Sequence, residues 1–200
     1  MGGQKSFLHM SLGDDIPCGS AQHTVSPKTG GDDIPFEEFP LVDLAGAVIG
    51  KASRKLCHSG TFLLHPVVHL HVFNSDGKLL LQKRADSKDI QPGKWDTSVG
   101  GHVDYGETIE QALKREVCEE LGIVEFNPTF IGKYDFRSDR EYELVHTYYT
   151  LYDGVINFDP KEISEIKFWS MSEISDNLGK NVFTPNFEQE FKRILQGLKI

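Results

Sequence analysis

The sequence has no apolar run approaching the about 20 residues that a helix needs to cross a bilayer, and no basic-then-apolar leader near its start. It also lacks a basic excess. Lys and Arg number 21 against 30 Asp and Glu, a net charge of −9, which argues against broad binding to nucleic acid or an anionic membrane. Cysteine is scarce: Cys18, Cys57 and Cys118 make no even framework and no Cys-x-x-Cys pair. That usage points to a reducing compartment, and we expect a cytoplasmic protein. There is no internal repeat.

What is present suffices for one domain, since 200 residues can bury a sizeable core. Residues 1–35 are rich in Gly, Ser, Asp and Pro without periodicity, and read as a flexible arm before a domain over 36–200. Residues 39–42 and 47–49 flank a glycine-containing turn and read as a β-hairpin. Residues 55–66 read as an irregular connection. Strands are expected over 67–73, 79–82, 95–99, 124–126, 129–136, 142–152 and 166–169. Short helices are expected over 173–178 and 186–198. Strands on both sides of one central helix give an α/β fold, an α/β/α sandwich with a mixed sheet.

The stretch around which this order is arranged is GHVDYGETIEQALKREVCEELGI, residues 101–123. A glycine-rich turn leads into a helix over about 107–121, which Gly122 stops. On a helix, Glu116, Glu119 and Glu120 share roughly one side, where like charges repel. Carboxylates gathered in this way suit a hard divalent cation such as Mg²⁺ or Mn²⁺. The plain alternative is an acidic amphipathic helix with a solvated face.

The same stretch resembles the Nudix box, Gly-x5-Glu-x7-Arg-Glu-U-x-Glu-Glu-x-Gly-U with U a bulky aliphatic. Gly101, Glu107, Arg115, Glu116, Val117, Glu119, Glu120, Gly122 and Ile123 meet every position. The resemblance implies the Nudix fold, with the box as strand–loop–helix–loop, and metal-dependent cleavage of a diphosphate linkage. It implies Glu116, Glu119 and Glu120 as metal ligands, with the backbone carbonyl near Gly100 as another. Glu107 and Arg115 would brace the loop. The general base stays open among Glu119, Glu116 and Glu143. The implied partner is a small-molecule diphosphate, a nucleoside diphosphate or a compound linked to one, and a homodimer is compatible with the family.

A second resemblance, over about 63–121, is to isopentenyl-diphosphate isomerase of the same superfamily. LLLQKRADSKDIQPGKWDTSVGGH carries it. It implies a second metal site at His58, His65, His102, Glu141 and Glu143, and a diphosphate grip by Arg84 and Lys88. Gly100 stands where the isomerase has its catalytic cysteine, while the box glutamates are complete. The sequence therefore reads as a hydrolase of the isomerase-like subgroup. The rival readings are the isomerase reaction itself and a non-catalytic diphosphate sensor. His65, His69 and His71 share one parity along a strand, so His69 and His71 could line a polar face or a second metal site, but taken alone they read first as solvated or core histidines.

Overall fold

The computed structural model describes residues 37–88, 90–193 and 195. The arm expected over 1–35 lies outside the described residues, as does most of the last helix expected beyond Arg193.

The expected hairpin forms from β1 (Glu38–Val42) and β2 (Val48–Ser53), which pair antiparallel. Asp43 organises the turn, since its carbonyl accepts from Gly46 N and its carboxylate from Ala47 N. The connection after it is more ordered than its composition implies. Ser53 Oγ accepts from Leu56 N at 3.3 Å and caps a one-turn helix, α1 (Arg54–Cys57). Strand β3 (Leu64–Phe73) then starts three residues earlier than the alternation indicated. Its sequence is buried on both faces, so the pattern is a continuous run rather than an alternation.

The remaining strands are β4 (Leu79–Arg84), β5 (Trp95–Asp96), β6 (Val99–His102), β7 (Thr129–Arg137), β8 (Tyr142–Leu151) and β9 (Ile163–Trp169). They form one mixed seven-stranded sheet in the order β5-β4-β3-β8-β7, with β6 pairing β3 and β9 pairing β4. Among the described strand pairs, only β3 and β8 run parallel. The single strand expected over 95–99 is two, because the chain changes partner there: β5 pairs β4 and β6 pairs β3. Residues 124–126 are no strand. Instead, the amides of Asn157 and Asp159 bond the carbonyls of Leu121 and Glu120 at the helix end beside them.

Helix α2 (Ile109–Leu121) starts at Thr108, which forms a reciprocal capping box with Gln111. Leu113, Val117 and Leu121 are buried and meet Val68, Leu70 and Val72 of β3 and Leu80 of β4. The other face of the same strands presents Phe73, Leu79 and Leu81 to α3 (Met171–Asn177) and α4 (Pro185–Arg193), through Ile174, Phe187 and Phe191. The two sets of residues alternate along β4, as the period of a strand requires. The result is the expected three-layer α/β/α arrangement.

Gly122 ends α2 at a φ of 65°, and a Cβ there would lie 2.9 Å from the Asn157 carbonyl oxygen. Gly122→Ala combines a left-handed backbone with a backbone clash. We expect a loss of about 2 kcal/mol or more, read as a lower urea midpoint at unchanged slope.

Candidate active site

The sheet forks where β4 leaves β3. Only Phe73 and Leu79 are paired between them, and β6 takes over the edge of β3 from Leu70 to Val67. Ser98 stitches the fork, accepting from Val72 N at 2.8 Å and donating to the Leu80 carbonyl at 2.6 Å. Below it a cleft of about 570 Å³ opens. Its wall includes Gln82 and Arg84 of β4, Gly100 to His102 of β6, Glu141 and Glu143 near the start of β8, and Asn186 of α4.

The box lies against this wall. Glu116 packs on Gly101 so closely that a Cβ on Gly101 would lie 1.9 Å from the Glu116 carboxyl carbon. Arg115 is the hub of the loop. It donates to both carboxylate oxygens of Glu107 at 3.0 and 2.9 Å, to the His102 carbonyl at 2.9 Å, to Glu116 at 2.8 Å and to Glu119 at 3.2 Å. The brace expected between Glu107 and Arg115 is therefore present. The glutamates themselves spread apart: Glu119 is exposed on Arg115, while Glu120 turns inward and accepts from Gln82 Nε2 at 2.9 Å. Burial, with Glu116 nearby, pushes the Glu120 carboxyl up to about 8. The backbone amide of Gly100 faces Glu120 and works against that shift. Burial also raises Glu116, against the pull of Arg115.

The histidines form a second group. His58, His65 and His102, from α1's C-terminus, β3 and β6, bring one ligand nitrogen each to within 4.8 Å of one another. His58 Nε2 and His102 Nε2 are 3.0 Å apart, and His58 Nε2 lies 3.6 Å from Glu141 Oε2. His65 Nδ1 bonds the Leu63 carbonyl, which leaves its Nε2 buried and unpartnered. Phe39 of the hairpin covers the group, stacking on His102 at 4.4 Å and on His65 at 5.5 Å. Burial, reinforced by the Arg54 charge, lowers His58 to about 4 and His102 well below its ordinary value. Burial lowers His65 too. All three rings are thus neutral near pH 7, the form that binds metal. Glu143, bonded by Asn186 Nδ2 at 3.2 Å, is raised by burial and by the charge of Glu141, itself raised by burial.

Of the two residues expected to grip diphosphate, Arg84 lines the cleft, with Nε on the Ile90 carbonyl and Nη1 3.4 Å from Asp96. Lys88 pairs instead with Glu162, outside the cleft wall. The sequence reading missed Arg54, Arg137 and Arg140, which also line the cleft. Arg54 opens α1, whereas Arg137 ends β7 and Arg140 follows in the turn beyond it, so no local spacing marks the three as a set. It also missed the partner of His69 and His71. These core histidines meet a buried carboxylate, Glu190, 121 and 119 residues away in sequence, which holds His69 up at about 9 despite burial.

Two donor sets therefore adjoin one cleft. The buried Glu120, too poorly compensated to stay ionised on its own, fits a hard cation bound with Glu116. The orphaned His65 Nε2 beside two neutral imidazoles fits a borderline ion. No helix among the described residues is long and apolar enough to cross a membrane.

Comparison with known proteins agrees with this geometry. The NUDIX domain family model matches residues 63–188. The chain is 32% identical over 168 residues to an isopentenyl-diphosphate Delta-isomerase of Pectobacterium atrosepticum, covering 80% of this chain and 93% of that protein. It is also 32% identical over 156 residues to an uncharacterised Nudix hydrolase of Listeria monocytogenes, covering 76% and 90%. Among solved structures, a Deinococcus radiodurans protein superposes with a TM-score of 0.68 at 24% identity, covering 78% of this chain and 98% of that one. A MutT protein from Methanosarcina mazei superposes with a TM-score of 0.58 at 24% identity, covering 66% and 94%. With the box complete, its loop braced by Arg115 and the fold shared, the chain belongs to the Nudix family of hydrolases.

Proposed function

We propose that this chain is a divalent-metal-dependent hydrolase that cleaves a diphosphate linkage in a nucleoside diphosphate or a compound linked to one. The observation that carries the reading is the Glu120 carboxyl. It is buried beside Glu116 with one side-chain donor, Gln82, and its partners are too few for its charge. A cation there restores the balance. Glu116, Glu119 and Glu120 would hold it, with the Gly100 carbonyl as a further ligand. Such an ion, Mg²⁺ or Mn²⁺, would supply neutralisation of phosphoryl charge and a lower pKa for bound water.

The chain's own groups do the rest. Arg84 and the other cleft arginines orient the diphosphate. Glu143 is the favoured base among the three candidates. It lines the cleft, and its raised pKa sits closer to a working pH than that of an ordinary carboxylate. Glu119 is exposed and tied to Arg115. His58, His65, His102 and Glu141 form a second metal site beside Glu143.

One observation favours the isomerase as a second reading: the histidine group is assembled although no box chemistry requires it. Against it, Gly100 supplies no thiol. Phosphorus-31 NMR of a panel separates the two. It comprises nucleoside di- and triphosphates, nucleotide sugars, dinucleotides and isopentenyl diphosphate, with Mg²⁺ or Mn²⁺. New phosphate signals from a nucleotide are the expected result. Shifted isopentenyl diphosphate signals without cleavage support the isomerase. Full turnover in chelator overturns the metal dependence.

A further inference from the structure

Glu190 is a fully buried carboxylate on α4 that takes no part in the chemistry above. Its Oε2 accepts from His69 Nδ1 at 2.8 Å, and its Oε1 lies 3.1 Å from His71 Nε2. An ionised carboxylate only accepts, so the hydrogen between Glu190 and His69 belongs to Nδ1; a carboxylate buried this deeply at 2.8 Å also holds the ring as the imidazolium, so Nε2 carries a hydrogen as well, and the ring is fixed in orientation. His71 is buried at both ends: its Nδ1 is 3.1 Å from Thr97 Oγ1, and its Nε2 faces Glu190 Oε1 without hydrogen-bond geometry. His69 is closed at one end only. Its ring lines the cleft, and among the described residues Nε2 has no hydrogen-bond partner.

Gly100 is what leaves that nitrogen open. It pairs with His69 across β3 and β6, and a Cβ at Gly100 would stand 3.6 Å from Nε2 and 3.5 Å from the adjoining ring carbon. Any side chain here would cover the ring. Ordinary core packing does not need a histidine clamped from behind by a buried carboxylate and bared in front by a glycine.

We propose that His69 contacts the substrate directly, donating from Nε2 to a phosphoryl oxygen of a diphosphate seated over Gly100, and that Glu190 is the positioning residue that holds the ring there. This rests on the diphosphate reading of the cleft. Such a donor adds to Arg84 a contact of fixed direction, which arginine side chains on the loop over 137–140 do not provide.

The test uses the full chain, Mg²⁺ and methylene diphosphonate, a diphosphate that cannot be hydrolysed, with affinity read by calorimetry. His69→Asn keeps an amide nitrogen near the position of Nδ1 for Glu190 but places nothing in the cleft. His69→Gln reaches the position of Nε2 and gives up Glu190. Binding about tenfold weaker in His69→Asn with its melting temperature nearly unchanged is expected. His69→Gln should melt lower and keep affinity within about threefold of the native chain. The His69 Nε2 resonance of the ¹⁵N-labelled native protein should move as the diphosphonate is added, which decides the matter if His69→Asn does not fold. Native-like affinity in His69→Asn with a static resonance overturns the contact and leaves the diphosphate reading standing. No binding by the native chain overturns both.

Discussion

Glu120→Gln should lower diphosphate hydrolysis by on the order of 10²–10³-fold while the fold persists. The amide matches the carboxylate in shape, and its oxygen can still accept from Gln82 Nε2, so the core around α2 keeps its packing. What it cannot supply is the negative charge that holds a hard cation. The stability of the metal-free chain gives an independent check. The Glu120 carboxyl rises from 4.5 to about 8 in the fold, so between those values the folded protein holds a proton that the unfolded chain has released. Stability contributed by this group therefore falls as pH rises through that window. In chelator, Glu120→Gln should show a flatter melting temperature from pH 5 to pH 8 and should exceed the native chain at the upper end. Added Mg²⁺ should raise the melting temperature of the native chain but not that of the variant. Native-like turnover in Glu120→Gln would remove the box from the chemistry.

Gly101→Ala should act almost as strongly, through a different cause. The added Cβ would lie 1.9 Å from the Glu116 carboxyl carbon and 2.3 Å from its Oε1, so the carboxylate must leave. Its departure also breaks the 2.8 Å bond to Arg115. We expect the apparent affinity for Mg²⁺ to weaken by about 10–100-fold and kcat to fall with it. The cost in stability should stay near the 1–3 kcal/mol typical of overpacking, because Glu116 is a partly exposed side chain that can swing out. A metal titration at several substrate concentrations separates this from a general loss of fold. Unchanged metal affinity would mean that Glu116 is no ligand.

The segment that these two predictions exploit was legible in the sequence because it is local. The stop at Gly122 and apolar residues at helical spacing define α2 without any distant contact, and the structure adds the Thr108 cap. The side chain of Arg115 reaches back only eight residues to Glu107, so that brace also follows from spacing. The hairpin over 38–53 and the turn after Phe73 are of the same kind. Elements whose limits depend on partners were read less well. Strand β3 extends back to Leu64 because β8 runs parallel to it over its whole length. Residues 124–126 have strand-like composition but find no sheet edge. The split between β5 and β6 depends on which strand each one meets.

The site divides along the same line. By itself the sequence determined the box, its helix and the residue types that bind cations, since these are one contiguous segment with fixed spacing. It also marked His58, His65 and His102, though only through likeness to a relative. Tertiary structure alone decided that these rings meet under Phe39, that Lys88 turns to Glu162 while Arg54, Arg137 and Arg140 line the cleft, and that His69 is clamped by Glu190. Periodicity reports which way a side chain points from its own backbone. It carries no information about what stands opposite, and a cleft formed where two strands part is made wholly of such opposites.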